Sequence, residues 1–335
     1  MSNPILSDQS LSLAFVMDPI DSVSIDADTT FVLMLEAQRR GHEVLYVDPA
    51  DLAIDEGRPV ATVTPVTLRR EAGRHVDRGE ARRVVLDEAI DLAFQRVDPP
   101  VDRDYIVATQ ILALCERTLV LNRPQSILAA NEKLYALEFR EFMAETIVTQ
   151  KAGDLQRFLA AMGGEMIVKP LDGKGGEGIF HVVAGDRNVT SIFEQVTDFG
   201  TRRCMAQRYL PEVRRGDKRI LLLEGKPIGA VLRVPSEGES RANFHSGGRA
   251  TQATVDDDDR RIIAALAPAL RRDGFFFVGI DVIGGCLTEV NVTSPTGVQE
   301  INALDDVRLE AQVIEAAEAA VERHRELGST RNRGS

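Results

Sequence analysis

Hydrophobic and polar positions near the start of the chain follow a strand, helix, strand order. The apolar run Leu13–Met17 predicts a strand, which the turn signal Asp18-Pro19 closes. After Asp28, apolar residues recur at helical spacing up to Gly41, which suits a left-handed helix cap. Glu43–Val47 then reads as a second strand. Strands that alternate with helices predict a parallel sheet in an α/β domain.

Ligands of parallel sheets bind beyond the carboxyl ends of the strands, so residues that directly follow a strand are candidates for ligand binding. Asp18 follows the first predicted strand, and Arg96 follows a predicted strand over Asp91–Gln95 that Asp98-Pro99-Pro100 ends. We therefore expect Asp18 and Arg96 to face a ligand.

The second half of the chain has a different pattern of elements, in which predicted β-hairpins are frequent. A long helix is predicted over Ser126–Phe142, and a shorter one begins at a capping Asp154 and ends at Gly163. The later predicted elements are strands at Met166–Lys169, Ile179–Val183, Cys204–Tyr209 and Arg219–Glu224, a helix at Asp257–Arg272, strands at Phe275–Ile283 and Leu287–Val292, and a closing helix from Arg308.

These patterns predict a chain of two main domains with loose ends. Residues 13–130 form the α/β domain, and residues 131–322 form an α+β domain with lobes at 131–205 and 206–322. Residues 1–12 and 323–335 are predicted to be a flexible lead and tail.

Composition narrows the classes of function. The chain has 335 residues, with 52 acidic and 40 basic side chains and a net charge of −12, which argues against a general nucleic-acid surface. The cysteines Cys115, Cys204 and Cys286 are scattered without a paired motif, as in reduced cytoplasmic proteins. No apolar run reaches the length of a membrane span, and the start lacks the features of a signal peptide.

A glycine-rich segment, Asp172–Gly178, contains the spacing G-x-G-x-x-G. A dinucleotide-binding fingerprint requires a helix after the glycines, but here a strand pattern follows, so that interpretation fails. A hairpin whose tip folds backbone N–H groups over phosphates fits better, with an exposed glycine-rich hairpin as the alternative. Lys169 favours the phosphate interpretation, because an inward-facing lysine in an apolar strand needs an anionic partner.

An acidic hairpin near the end of the chain predicts a metal site. Glu289 and Asn291 are two residues apart in a strand and share one face, and Asp281 lies in the preceding strand. A three-residue loop at 284–286 would place Asp281 opposite Glu289, whereas a two-residue Gly284-Gly285 loop would turn it away. Oxygen ligands of this kind suit Mg²⁺. The alternative is a solvated sheet face.

Several motifs together resemble bacterial-type glutathione synthetases of the ATP-grasp superfamily over nearly the whole chain. They are Met17-Asp-Pro-Ile, Leu35-Glu-Ala-Gln-Arg-Arg-Gly, Asp98-Pro-Pro, Asn131-Glu-Lys-Leu, Lys169-Pro-Leu-Asp-Gly, Cys204-Met-Ala-Gln, Tyr209-Leu-Pro, Gly216-Asp-Lys-Arg, Phe277-Val-Gly-Ile-Asp and Leu287-Thr-Glu-Val-Asn-Val-Thr-Ser-Pro-Thr. The metal hairpin alone would indicate only an ATP-grasp ligase.

The resemblance implies an ATP-grasp fold behind an N-terminal parallel-sheet domain, with ATP held between two antiparallel sheets. The implied ATP-binding residues are Lys133, Lys169, Gly173, Gly175, Gly176, Gln207, Tyr209, Leu210 and Asp217. Asp281, Glu289 and Asn291 would hold two Mg²⁺ ions, with Mn²⁺ as a substitute.

The implied reaction is ATP-dependent joining of γ-glutamylcysteine and glycine, through an acyl phosphate. Lys169 and Arg219 are the expected catalytic residues. The expected substrate-binding residues are Asp18, Arg96, Arg219, Arg233, Arg241, Asn243 and Ser294.

A homotetramer is implied by the resemblance. Ser236–Gly248 is interpreted as a mobile lid, with an ordinary surface loop as the alternative. The rivals are another ATP-grasp carboxylate–amine ligase, such as a dipeptide or protein-tail ligase, and a non-catalytic ATP-binding protein.

Overall fold

A computed structural model describes residues 10–173, 175–236 and 247–331, with side chains as far as residue 327. The chain divides into two compact units. The first contains the described residues up to Ala129, together with Leu270–Phe277 and the described residues from Val292 onward. The second contains Ala130–Ala269 and Val278–Asn291.

Strands and helices are numbered along the chain. The strands are β1 Ser12–Val16, β2 Glu43–Val47, β3 Leu52–Asp55, β4 Arg58–Leu68, β5 Val76–Arg78, β6 Arg82–Val85, β7 Leu92–Gln95, β8 Leu119–Leu121, β9 Thr146–Thr149, β10 Glu165–Pro170, β11 Phe180–Val183, β12 Cys204–Arg208, β13 Asp217–Leu223, β14 Lys226–Val234, β15 Arg249–Gln252, β16 Phe277–Ile283 and β17 Cys286–Asn291. The helices are α1 Thr29–Arg39, α2 Leu86–Ala89, α3 Arg103–Leu112, α4 Pro124–Ala129, α5 Glu132–Tyr135, α6 Ala152–Ala161, α7 Val189–Val196, α8 Asp257–Asp273, α9 Val298–Asp305 and α10 Leu309–Arg331.

The first unit contains the predicted parallel sheet. Its strand order is β3-β4-β2-β1-β7-β8, and β1 pairs in parallel with both β2 and β7. Four consecutive residues of β1, Leu13 to Val16, are buried, as is usual where a parallel strand is covered on both faces. The antiparallel strands β3 to β6 were not predicted, because they carry mixed polar and apolar residues without a clear period.

Helix α1 confirms the helix predicted after Asp28 and the predicted cap at Gly41. The Asp28 side chain accepts a hydrogen bond from the backbone N–H of Phe31 at 2.7 Å, and Gly41 adopts φ 88° beyond the last turn. The helix buries Phe31 and Leu33 completely. Local sequence signals therefore fix both ends of this helix.

The predicted continuous helix over 126–142 is wrong. Helix α4 ends at Ala129, and Asn131 takes an extended backbone conformation before α5. Its side chain accepts the backbone N–H groups of Lys133 and Leu134, each at 3.1 Å, so Asn131 starts a new helix. The segment Ala136–Phe142 then continues as a 3₁₀ helix with a non-helical residue at Phe139.

Three predicted boundaries also shift. Helix α6 begins at Ala152, so Asp154 lies inside the first turn and accepts a hydrogen bond from Thr149 Oγ1 at 2.8 Å. The lobe boundary predicted at residues 205 and 206 falls inside β12, which runs to Arg208. Helix α10 continues to Arg331, so the tail predicted from residue 323 is helical as far as that residue.

The second unit contains two antiparallel sheets. One has the order β11-β10-β12-β9, and the other has the order β15-β14-β13-β16-β17. One face of the first sheet packs on α6 and α7 through an apolar cluster that includes Leu155, Met166, Val168 and Phe193. Strand residues alternate between faces, so Ile167 and Lys169 point away from that cluster. Within the described ranges, no helix is long and apolar enough to cross a membrane.

Asn122 should be a major structural residue of the first unit. Its buried side chain bonds the backbone of Phe276, Phe277 and Val292 through four hydrogen bonds of 2.7 to 2.9 Å. We expect Asn122→Ala to lower the free energy of unfolding by about 2–4 kcal/mol, because buried backbone groups lose their partner. Urea unfolding measures this. Asn188→Ala is the matched control, since Asn188 makes no side-chain cap bond, and equal effects of the two changes would contradict the assignment.

Candidate active site

Five of the nine predicted nucleotide residues, namely Lys169, Gln207, Tyr209, Leu210 and Asp217, line one cleft in the second unit. It has about 760 Å³ of empty space, part of it open to solvent. The lining residues come from both antiparallel sheets and their connections: Ala144, Ile167, Lys169, Ile179, Gln207, Arg208, Tyr209, Leu210, Val213, Asp217, Asp281, Ile283, Thr288 and Glu289.

Lys169 is a buried cation on the cleft face of β10. Its Nζ donates a hydrogen bond to the backbone carbonyl of Thr288 at 3.3 Å, and none of the described carboxylates forms an ion pair with it. Burial lowers the pKa of Lys169, and the charge of Lys133 adds to this, although Glu289 opposes it. The arrangement favours an anionic ligand at Nζ.

Lys133, in contrast, already has a carboxylate partner. Its Nζ lies 2.8 Å from Glu289 Oε1 and donates to the carbonyl oxygen of Gly173 at 2.9 Å. Burial alone would lower the pKa of Lys133, but the charge and hydrogen bond of Glu289 raise it overall. Lys133 therefore links helix α5, the glycine loop and the acidic hairpin.

The acidic hairpin brings its two carboxylates together by a different route from the one predicted. Asp281 pairs directly with Glu289, as expected, but the loop is the two-residue Gly284-Gly285 turn rather than three residues. Both glycines have positive φ, 56° and 77°, as this tight turn requires. A β-bulge at Thr288 then inserts one extra residue in β17 and restores the pairing.

Asp281 lies between two arginines. Arg219 forms a fork with it, Nε to Oδ1 at 2.5 Å and Nη2 to Oδ2 at 3.0 Å, and Arg233 approaches Oδ2 at 3.0 Å. Asn291 Nδ2 donates to the same oxygen at 3.3 Å, so Asn291 shares the face of Asp281. Burial would raise the pKa of Asp281, but the two guanidinium groups hold it well below its usual range.

Asp217 extends this charged network along the cleft. Its Oδ2 accepts a hydrogen bond from Arg233 at 2.6 Å, while its Oδ1 is buried without a hydrogen-bond partner among the described residues. Burial raises the pKa of Asp217 to about 6, against the opposing effect of Arg233. The orphaned oxygen is an acceptor available to a ligand hydroxyl.

In the glycine loop, neighbouring chain atoms lie too close to the backbone of Gly173 to admit a side chain. A Cβ at Gly173 would lie 2.8 Å from Pro170 Cγ and 3.0 Å from the carbonyl oxygen of Glu177, so no side chain fits there. Gly175 and Gly176 take positive φ values of 59° and 86°. Strand β11 follows, which confirms that the segment is not a dinucleotide-binding turn.

The segment Gln207–Leu210 closes the apolar end of the cleft. Gln207 Nε2 bonds Thr146 Oγ1 at 3.1 Å, and Tyr209 and Leu210 are buried just beyond β12. In the described part of the chain, the backbone N–H groups of Tyr209 and Leu210 have no hydrogen-bond partner. They are donors that a ligand ring could use.

Arg96 and Ser294 are in contact in the first unit, and Asp18 bonds the backbone two residues after Arg96. Asp18 Oδ2 accepts the backbone N–H of Asp98 at 2.9 Å, and Ser294 Oγ donates to the Arg96 carbonyl at 3.3 Å. The buried Arg96 donates to Thr30 Oγ1 at 3.1 Å and to the Pro295 carbonyl at 2.9 Å. Burial lowers the pKa of Arg96. These contacts bring together residues that are far apart in sequence.

Two predicted substrate residues, Arg241 and Asn243, lie outside the described residues, as does most of the predicted lid. Conversely, Ile167, Ile179, Arg208 and Thr288 line the cleft although no sequence pattern predicted them there. Because side chains alternate along a strand, Lys169 on the cleft face would have placed Ile167 on that face as well. The position of Thr288 in the cleft depends instead on the β-bulge, which the sequence pattern does not show.

The donor set of the acidic hairpin fits a magnesium-type ion. Asp281 and Glu289 contribute carboxylate oxygens on one face, and Asn291 adds an amide. Among the described residues, no group of three or more His, Cys, Asp and Glu side chains is arranged to hold a metal. Mg²⁺ usually takes only one or two carboxylates and completes its shell with water and phosphate oxygens, which two carboxylates and an amide allow.

Comparison with known proteins covers both parts of the chain. The family described as prokaryotic glutathione synthetase, N-terminal domain, matches residues 11–127, and the prokaryotic glutathione synthetase ATP-grasp domain matches residues 132–306. A glutathione synthetase of Shewanella oneidensis is 42% identical over 311 residues, covering 92% of this chain and 98% of the relative. One of Synechococcus elongatus is 44% identical over 322 residues, covering 93% and 99%.

Solved structures agree on the fold. A D-cycloserine synthetase has a TM-score of 0.66 at 16% identity, covering 93% of this chain and all of that chain. An ATP-grasp protein with a RimK domain from Sphaerobacter thermophilus has a TM-score of 0.60 at 16% identity, covering 91% and 98%. These likenesses concern the fold alone. With both family domains matched over most of its length, the chain belongs to the prokaryotic glutathione synthetase family of ATP-grasp ligases.

Proposed function

We propose that this chain joins γ-glutamylcysteine and glycine to form glutathione, with ATP converted to ADP and phosphate. The observation that carries the choice of substrates is the identity of 42–44% to glutathione synthetases over nearly the full length of both partners. The cleft independently supports the nucleotide part of the proposal, since it supplies cations, an apolar end and backbone donors in one place.

ATP would bind with its phosphates at the charged end of the cleft. Lys169 offers a buried ammonium group without a carboxylate partner, and the peptide groups of Gly173, Gly175 and Gly176 can approach closely because side chains are absent. Lys133 lies beside the same loop. The base would meet Gln207–Leu210, and Asp217 Oδ1 would accept a ribose hydroxyl.

The chemistry needs activation rather than a protein nucleophile. An amine does not displace oxide from a carboxylate, so the γ-phosphoryl group is first transferred to the cysteinyl carboxylate. The amine of glycine then attacks the acyl phosphate carbon, and inorganic phosphate leaves with the electrons of the broken C–O bond. Lys169 and Arg219 would stabilise negative charge on the transferring phosphoryl group, so the site acts by positioning and electrostatics.

Asp281, Glu289 and Asn291 would hold magnesium ions, two by family resemblance, with Mn²⁺ as a substitute. When bound, such ions neutralise charge on phosphoryl oxygens and orient them. The glutamyl, cysteinyl and glycine carboxylates call for forked cations, which Arg219, Arg233 and Arg241 can supply. Asp18, Arg96, Asn243 and Ser294 complete the proposed substrate set.

The proposal is tested by measuring ADP release together with the mass of the product. We expect ADP release to require both γ-glutamylcysteine and glycine, and the product to have the mass of glutathione. γ-Glutamylcysteine with another amino acid, and a plain dipeptide with glycine, are the matched controls. Faster turnover with either control would favour a different ATP-grasp carboxylate–amine ligase, and no turnover with any acceptor would favour a non-catalytic ATP-binding protein.

Lys169→Met should separate ligand binding from stability. We expect nucleotide affinity in calorimetry to fall about ten- to hundredfold, because a charge-assisted bond to phosphate is lost. The free energy of unfolding should not fall, because burying an unpaired ammonium costs energy in the native chain. Lys226→Met, on an exposed lysine of β14, is the control. Native affinity in the Lys169 variant would exclude it as a phosphate ligand.

Glu289→Gln should weaken metal binding more than nucleotide binding. We expect the affinity for Mn²⁺, measured by electron paramagnetic resonance with a non-hydrolysable ATP analogue, to fall at least about tenfold, because a carboxylate ligand becomes a neutral amide. Glu194→Gln on the exposed face of α7 keeps the same change of charge away from the cleft. Unchanged Mn²⁺ affinity would remove Glu289 from the metal set.

A further inference from the structure

His181 lies beside the nucleotide cleft and has no role in the function proposed above. Its imidazole stacks on the ring of Tyr209, with ring centroids 4.0 Å apart and planes 21° from parallel. Tyr209 lines the cleft, but His181 does not. The imidazole is therefore placed to act on a ligand through the tyrosine that it contacts.

Strand register explains why the two rings meet. His181 on β11 is directly opposite Ile167 on β10, which in turn is opposite Gln207 on β12. Directly opposed residues share one face of a sheet, so His181 is on the face that carries Ile167 and Gln207. Tyr209 is two residues beyond Gln207, and its ring reaches back toward the edge strand β11.

The stack does not depend on a polar partner of His181. Its Nε2 is buried and, among the residues described, has no hydrogen-bond partner, and the nearest carboxylate oxygen, Glu165 Oε1, is 3.9 Å away. The imidazole is therefore not held there by a hydrogen bond at Nε2. Ring stacking on Tyr209 is the specific contact that the histidine makes at this edge.

Tyr209 needs such support because it stands just outside regular structure. It follows the last residue of β12, and its backbone N–H and that of Leu210 have no partner among the described residues. The neighbouring backbone is held, since Arg208 donates to the Glu145 carbonyl at 2.9 Å and Leu210 accepts the N–H of Val213 at 3.1 Å, but these bonds do not engage the two donors themselves. If the segment also populates other conformations, only the molecules with correctly placed donors can bind the ligand. The apparent affinity then falls in proportion to the fraction of molecules in that binding conformation.

We propose that His181 is a positioning residue of the nucleotide cleft, which holds Tyr209 and the free backbone donors of Tyr209 and Leu210 in the geometry that receives the adenine ring of ATP. This inference rests on the proposed function for the identity of the nucleotide. The stack preorganises the apolar end of the cleft, whereas Lys169 and the glycine loop act at the phosphate end.

Four variants test the proposal, compared by calorimetry with a non-hydrolysable ATP analogue and Mg²⁺. His181→Ala removes the ring, His181→Leu keeps apolar volume without a ring, and His181→Phe keeps a stacking ring. Val183→Ala is the control, since Val183 is the next residue on the same face of β11 and is 40% exposed. Melting temperatures establish that each variant is folded.

We expect His181→Ala and His181→Leu to weaken analogue binding about three- to tenfold, the range expected for losing an aromatic pair. His181→Phe and Val183→Ala should stay within about twofold of the native chain. In steady-state kinetics, the KM for ATP should rise in the Ala and Leu variants while kcat at saturating ATP and the KM for the peptide and glycine stay unchanged.

Three outcomes would overturn the proposal. Native affinity in the Leu variant would show that stacking is not needed. A loss in the Phe variant equal to that in Ala would show that the imidazole acts by its own chemistry. A rise in all three Michaelis constants together would show a general structural defect. Because analogue binding is measured without peptide or glycine, failure of the glutathione assignment would leave this comparison intact.

Discussion

The site depends on one electrostatic constraint, which is the placement of the buried carboxylates Asp281 and Glu289 side by side in the cleft. Two carboxylates in this position would repel each other and lose hydration, so the protein surrounds them with positive charge. Arg219 and Arg233 contact Asp281, and Lys133 contacts Glu289. Each pair also ties one structural element to another.

These contacts explain why distant segments of the second unit fold around one point. The pair of Lys133 and Glu289 joins helix α5 to strand β17, and the fork of Arg219 on Asp281 joins neighbouring strands β13 and β16. Removing Glu289 would take the ion-pair partner from the buried Lys133, and removing Asp281 would break the fork of Arg219, although Arg233 would keep Asp217. Losing a partner of a buried ion pair is typically destabilising. Stability and ligand binding therefore use the same residues here. Among the cleft-lining cations that the structure describes, Lys169 is the one without a carboxylate partner.

Sequence patterns predicted the elements that are determined by neighbouring residues, such as helix caps and apolar strands. They failed where an element depends on contacts that its apolar spacing does not show. The caps of α1 and the strands β1, β2, β10 and β12 follow from apolar spacing and turn residues near them in sequence. The helix over 126–142 was predicted as continuous because its apolar spacing hides the capping role of Asn131. Local propensity cannot show that a side chain will bond the backbone two and three residues ahead.

The acidic hairpin shows the same limit more sharply. The two glycines of the turn favour a two-residue loop. In a regular ladder, however, Asp281 lies opposite Glu289 only if the loop has three residues, so the sequence alone left the two expectations in conflict. The β-bulge at Thr288 resolves the conflict, because it adds one residue after the tight turn. The partners of Asp18, Arg96 and His181 likewise depend on sheet register and on chain segments far away, so only a three-dimensional structure reveals them.

The balance of charge in the cleft bears on the metal question. Among the described residues, the cations Lys133, Lys169, Arg219 and Arg233 face the carboxylates Asp217, Asp281 and Glu289, so the protein groups leave a surplus of a single positive charge. A terminal phosphate alone carries about −1.5 to −2 charges near neutral pH, and a triphosphate carries more. The described groups do not neutralise that charge by themselves. Divalent cations bound with the nucleotide would make up the difference, and under the proposed function the oxygen-rich face of Asp281, Glu289 and Asn291 would hold them.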